Sequence, residues 1–116
     1  MKYLVQMVEA DHFARWAAAS AEDRAAVFAR FDAFAAAVAE RGSVVGGEGL
    51  DRPSRARTLR PGRGGARTVT DGPYAETAEQ LGGFFVIDVP DLDTAVDLAR
   101  LLPEEWTIEV RPVVDG

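Results

Sequence analysis

The side chains equipped to move a proton are few and lie far apart along the chain. They are Asp71 in Val69-Thr-Asp-Gly-Pro-Tyr74, Glu48 in Gly46-Gly-Glu-Gly-Leu50, the pair Glu76 and Glu79, and His12, the sole histidine. Asp71 stands directly before Gly72-Pro73 and after a β-prone run. Held at the mouth of a cleft it would serve as a general acid or base; as a turn residue it would accept hydrogen bonds from the backbone two residues on. Glu48 lies among glycines, which leave room for a ligand beside a carboxylate, so it is a second proton-transfer group or an acid at a solvated edge. Glu76 and Glu79, three apart, suit a helical turn that touches substrate or simply faces water. Histidine is the residue whose ordinary titration range lies near neutrality, and His12 is accordingly a candidate catalyst or a packed side chain. Tyr74 and Trp16 are core or interface aromatics, or surfaces on which a ligand is oriented, and Arg57 or Arg60 would suit an acidic metabolite.

Other chemistries have no residues to support them. The 116 residues include no cysteine, which excludes thiol catalysis, disulfide scaffolds and cysteine-ligated zinc. Neither metal-ligand spacing, a glycine-rich phosphate loop nor a nucleophile elbow is present in the sequence, so no cofactor and no metal is expected. The net charge is −6, which disfavours nucleic acid and anionic membrane as partners. That figure is uneven: residues 51–67 hold six arginines and one acid, a local +5 against −11 for the remainder. Residues 3–8 are apolar but interrupted by Gln6 and followed by Glu9 and Asp11, unlike a secretory leader, and no run suits a membrane span. A cytoplasmic protein of one domain, residues 1–116, is the expectation.

The elements that must carry these side chains follow from periodicity. Residues 2–8 place Tyr3, Val5 and Met7 on one face and Leu4 and Val8 on the other, a strand apolar on both sides. Residues 12–19 suggest a short helical turn with Trp16. Residues 21–41 carry Val27, Phe28, Phe31, Phe34, Ala35 and Val38 at helical spacing, with Ser20 and Asp23 forming a capping signal and Gly42 closing the helix. Residues 43–50 read as a strand with a glycine bulge, 56–60 and 66–70 as an arginine-rich hairpin, and 82–89 as a second strand apolar on both faces. Asp91 caps a helix running to about Leu102, and 106–113 alternate as a half-exposed last strand. That order predicts an α+β domain of ferredoxin-like type, an antiparallel sheet with helices on one face. Two helices cannot cover both faces, so a second copy packed sheet to sheet, a homodimer, is expected.

The segment Val69-Thr-Asp-Gly-Pro-Tyr-Ala-Glu-Thr-Ala-Glu-Gln-Leu-Gly-Gly83 resembles the DGPF-motif branch of the YCII-related domain family, as do Gly46-Gly-Glu-Gly-Leu50, Val89-Pro-Asp-Leu-Asp93 and Ile108-Glu-Val-Arg-Pro-Val113. The likeness covers nearly the whole chain. It implies a ferredoxin-like fold in a dimeric α+β barrel and leaves the reaction open: related folds host isomerases, dehalogenases and monooxygenases, and the branch is often encoded beside extracytoplasmic-function sigma factors. Three departures stand out. Tyr74 replaces the motif's Phe, Ala78 replaces a frequent Lys, and the histidine that relatives carry on their first long helix is missing from residues 21–41, so their suspected His–acid pair does not carry over intact.

These readings converge on cofactor-independent acid/base chemistry, of isomerase, cyclase or lyase type. The substrate is a small organic molecule bound at the sheet interface, with Asp71, Glu48 and His12 catalytic and Tyr74, Glu76 and Arg57 binding. The competing expectation is a non-catalytic ligand-binding or regulatory module linked to such a sigma factor.

Overall fold

The computed structural model describes residues 1–75 and 78–115. Strand β1 (Lys2–Ala10) leads through a tight reversal into helix α1 (His12–Ala18), and α2 (Ala21–Arg41) then returns to β2 (Ser43–Gly49). The hairpin β3 (Arg57–Arg60) and β4 (Thr68–Asp71) follows, then β5 (Glu79–Asp88), α3 (Leu92–Ala99) and β6 (Thr107–Pro112). The main sheet has the order β2-β5-β1-β6, with every neighbouring pair antiparallel. Two strand–helix–strand units, interleaved so that the first strand of one lies beside the first strand of the other, give the ferredoxin-like arrangement.

Local chemistry explains the boundaries. The Ser20 hydroxyl accepts from the Asp23 backbone N–H at 3.0 Å and opens α2; the Asp91 carboxylate accepts from the Thr94 N–H at 2.8 Å and opens α3. Hydrogen bonding from the Thr94 side chain and then from its N–H, with the Arg41 charge beyond, holds the Asp91 carboxyl below the usual carboxylate range. β2 is bulged between Val44 and Gly46, where the glycine run weakens the ladder. Helix α3 ends at Ala99, earlier than the apolar spacing suggested, because Leu101 and Leu102 bond three residues back in tight turns.

The core lies on one face of the sheet. Tyr3, Val5 and Met7 from β1 and Ile87 from β5 pack with Phe34 and Val38 of α2 and Ala95, Leu98 and Ala99 of α3. Leu92 and Val96, read from the sequence as part of that helix face, are exposed. On the other face the register aligns Glu48, Phe84, Gln6 and Glu109 in one row across the four strands, with Gly46, Val86, Leu4 and Arg111 in the next. Leu4, Val8, Phe84 and Val86 are only half-buried there. The hairpin forms its own two-stranded sheet, with the cross-strand pair Leu59 and Val69 left 54% and 61% exposed.

Candidate active site

The structure brings together an acid–histidine pair at the junction of β1 and α1. Asp11 adopts the left-handed conformation (φ 54°, ψ 34°) as the N-cap of α1, and its backbone N–H donates to the Ala78 carbonyl at 3.0 Å. This reversal swings the first residue of α1 back over the end of β1. His12 Nδ1 consequently lies 2.9 Å from Glu9 Oε1, with both side chains about nine-tenths buried (10% and 11% exposed). An ionised carboxylate only accepts, so in the neutral ring the proton sits on Nδ1 and Nε2 holds the free lone pair.

Each neighbour of the imidazole fixes it in place. The ring of Trp106 meets it edge-on at 5.2 Å, Phe13 meets it at 4.9 Å, and Trp16 stacks at 6.4 Å. Trp16 is itself pinned: the Arg24 guanidinium donates to its carbonyl at 2.7 Å and lies 5.3 Å over its ring, joining the end of α1 to α2. The Phe13 N–H donates to Gln80 Oε1 at 3.2 Å, tying α1 to β5. Gly82 of β5 lies against a further side of the ring. A Cβ on it would lie 2.6 Å from His12 Nε2 and 2.8 Å from Cδ2, so only glycine lets the ring approach β5 this closely.

The free edge of the ring borders a cleft of about 550 Å³ between α1, α2 and the β2–β5 edge of the sheet. Trp16, Phe28, Phe31, Phe85 and Trp106 wall it, in edge-on and tilted contacts with centroids 5.7–6.2 Å apart. Phe28, a core candidate by spacing, is instead 54% exposed because it faces this open cleft. No hydrogen bond is formed at Nε2 among the described residues, and none of their fully buried side-chain nitrogens or oxygens lacks a partner; Nε2 is therefore not fully buried, and His12 is one of the residues that line the cleft. Glu48 and Asp51 stand at the rim. The Arg52 backbone N–H, 2.7 Å from Asp51 Oδ1, and then the Arg55 charge hold the Asp51 carboxyl below its ordinary value, making it a fixed negative charge rather than a proton carrier.

The other anticipated residues are distributed differently. Asp71 is an exposed member of the hairpin, its carboxylate 3.1 Å from Arg57 Nε, so these two satisfy each other across β3 and β4. Tyr74 is 81% exposed, and its carbonyl accepts from Arg60. Arg55 and Arg57 thus find their acidic partners, Asp51 and Asp71, within or beside their own segment. Glu76 lies outside the described residues. Glu48 reaches the cleft rim from β2, where it shares a row with Phe84, and is exposed. His12, Glu48 and Trp16 are therefore the anticipated residues that line this cleft. Glu9 was passed over in the sequence; its signal was the Glu-x-x-His spacing across a strand-to-helix junction. Among the described residues no cluster of three or more His, Asp or Glu side chains could hold a metal, and no helix is long and apolar enough to cross a membrane.

A family model, the YCII-related domain, matches residues 1–115. An uncharacterized protein of Rhizobium meliloti (strain 1021) is 50% identical over 62 residues, which cover 50% of this chain and 49% of that protein. The chain thus spans about half the length of the curated relative it matches.

Proposed function

For a chain that belongs to the YCII-related domain family, we propose that cofactor-independent acid/base chemistry on a small, flat, apolar substrate takes place in the aromatic-walled cleft, with His12 as the proton-transfer group. One observation carries this reading: His12, a residue of the cleft lining, is tied to Glu9 through Nδ1 while Nε2 is neither hydrogen-bonded to a described residue nor fully buried. Glu9 orients the ring; Nε2 removes a proton from a carbon acid and returns it at another position, as an isomerase or cyclase requires. Asp51 contributes a standing negative charge at the rim. Asp71 ends the hairpin and Tyr74 follows it in the isolated protomer, neither lines the cleft, and this step does not use them.

A second copy is the proposed occupant of the outer sheet face. Leu4, Val8, Phe84 and Val86 form its apolar centre, and Arg111 pairs with Glu109 of its own protomer, so two copies related by a dyad can bury the apolar rows with these charges already matched.

The test is deuterium exchange at the α-carbon of 2-tetralone in D₂O, followed by proton NMR. A positioned general base is worth ~10²–10⁴-fold. Wild-type protein is expected to exceed His12→Gln by at least tenfold. The same rate in both proteins, with 2-tetralone bound, would instead support a non-catalytic ligand-binding module of the kind linked to an extracytoplasmic-function sigma factor. The mostly apolar lining of the cleft and the hairpin pairing of Asp71 favour that second reading.

A further inference from the structure

The acid–histidine pair borders two clefts. On the side away from the aromatic cleft, Glu9 lines a second depression of about 370 Å³ between α1, α2 and the turn before β6, rimmed by Arg15, Asp23, Arg30, Glu104 and Glu105. Trp16, Val27 and Trp106 contribute to both clefts and form the partition between them. His12 borders the apolar cleft and Glu9 the charged one, and their 2.9 Å hydrogen bond runs between the two compartments.

From this geometry we propose that Glu9 is a proton conduit: it passes protons between His12 and water in the charged cleft while the aromatic cleft is filled by ligand. The inference rests on the acid/base reading of His12. When Nε2 accepts a proton from the substrate, the imidazolium gives its Nδ1 proton to the Glu9 carboxylate, and the neutral carboxyl releases it to water on the charged side. The reverse sequence reloads Nδ1. A group sealed beneath an apolar ligand otherwise exchanges its proton only when that ligand leaves. The conduit therefore suits reactions that release or take up a net proton, such as eliminations, as well as those that return the same proton. The charged groups of the second cleft are of both signs, with Arg30 3.4 Å from Glu104, so water there meets no single-sign barrier to a proton.

The single histidine makes the exchange rate of its Nδ1 proton with solvent directly readable by ¹⁵N-edited proton NMR. Naphthalene is the plug for the aromatic cleft, and its binding is reported by fluorescence of Trp16 and Trp106, the chain's two tryptophans, both in the cleft wall. Glu9→Gln keeps an acceptor for Nδ1–H but cannot carry a proton, and Ala26→Trp adds bulk to the charged cleft from α2 while leaving Glu9 and His12 themselves unchanged. With the conduit, naphthalene changes the exchange rate by less than twofold, whereas Glu9→Gln slows it at least tenfold and Ala26→Trp severalfold. If naphthalene slows exchange tenfold and the two substitutions leave it unchanged, protons leave through the aromatic cleft and the conduit is overturned. Should naphthalene not bind, the two substitutions decide alone: slowing in both supports the conduit, and no change in either overturns it. None of these measurements depends on turnover, so failure of the 2-tetralone experiment is distinguishable from failure here.

Discussion

Replacing Gly82 by alanine tests the packing of the pair against β5. The added Cβ would sit 2.6 Å from His12 Nε2, 2.8 Å from Cδ2 and 3.1 Å from Cε1. Ordinary contact begins near 3.4 Å, so ring and strand must separate by roughly 0.8 Å. The ring is confined by Trp106 at 5.2 Å, Phe13 at 4.9 Å and Glu9 bonded at 2.9 Å, so it cannot yield to the new Cβ without disturbing one of these contacts. A shift of that size in either sense takes the Nδ1–Oε1 distance outside the range of a normal hydrogen bond. Overpacking of this kind costs about 1–3 kcal/mol, measured as a lower urea midpoint at unchanged slope. Gly46→Ala is the matched control, because a Cβ there meets nothing within 4 Å. The expected result is a clear loss of stability and a displaced His12 ring signal for Gly82→Ala alone. Equal midpoints for the two variants, with an unmoved His12 signal, would refute the packing reasoning.

Further expectations concern the turn, the cap and the outer face. Asp11→Val forces a β-branched residue into the left-handed region and is expected to destabilise by about 1–2 kcal/mol, whereas Asp11→Gly should be tolerated; thermal melts compare them. The folded-state value of Asp91 lies below its ordinary 3.8, so its contribution is complete above that value and lost as pH falls through the lowered one. Asp91→Asn keeps the cap but should flatten this part of the acid limb in pH-dependent denaturation. Sedimentation equilibrium at micromolar concentration should give a dimer that Phe84→Asp converts to monomer; a monomeric wild type would remove the sheet-to-sheet assembly.

The fold was legible in the sequence because its signals are local. Ser20 and Asp91 cap where spacing places them, the glycines of 43–50 produce a bulge, and residues 21–41 form one helix with Phe34 and Val38 inward. Phe28 shares the apolar spacing of residues 21–41 yet is exposed, because periodicity tells which face a side chain occupies, but not whether another element closes over it. The site was harder to read. Asp71 draws the eye through its Asp-Gly-Pro setting, yet its carboxylate is spent on Arg57, a cross-strand partner visible only once β3 and β4 are paired in register. Glu9 looked like the polar end of a strand. Its role depends on a left-handed Asp11 and on Gly82 seventy positions beyond His12, a meeting that no local pattern encodes.

The most direct measurement is the ¹⁵N ring spectrum of His12, free of overlap because the chain has no other histidine. The Glu9–His12 geometry predicts that the neutral ring carries its proton on Nδ1, with Nε2 as the unprotonated nitrogen whose signal shifts when 2-tetralone is added. A ring protonated on Nε2, or an Nε2 signal indifferent to a bound aromatic ketone, would contradict the assignment of this pair as the proton-transfer site.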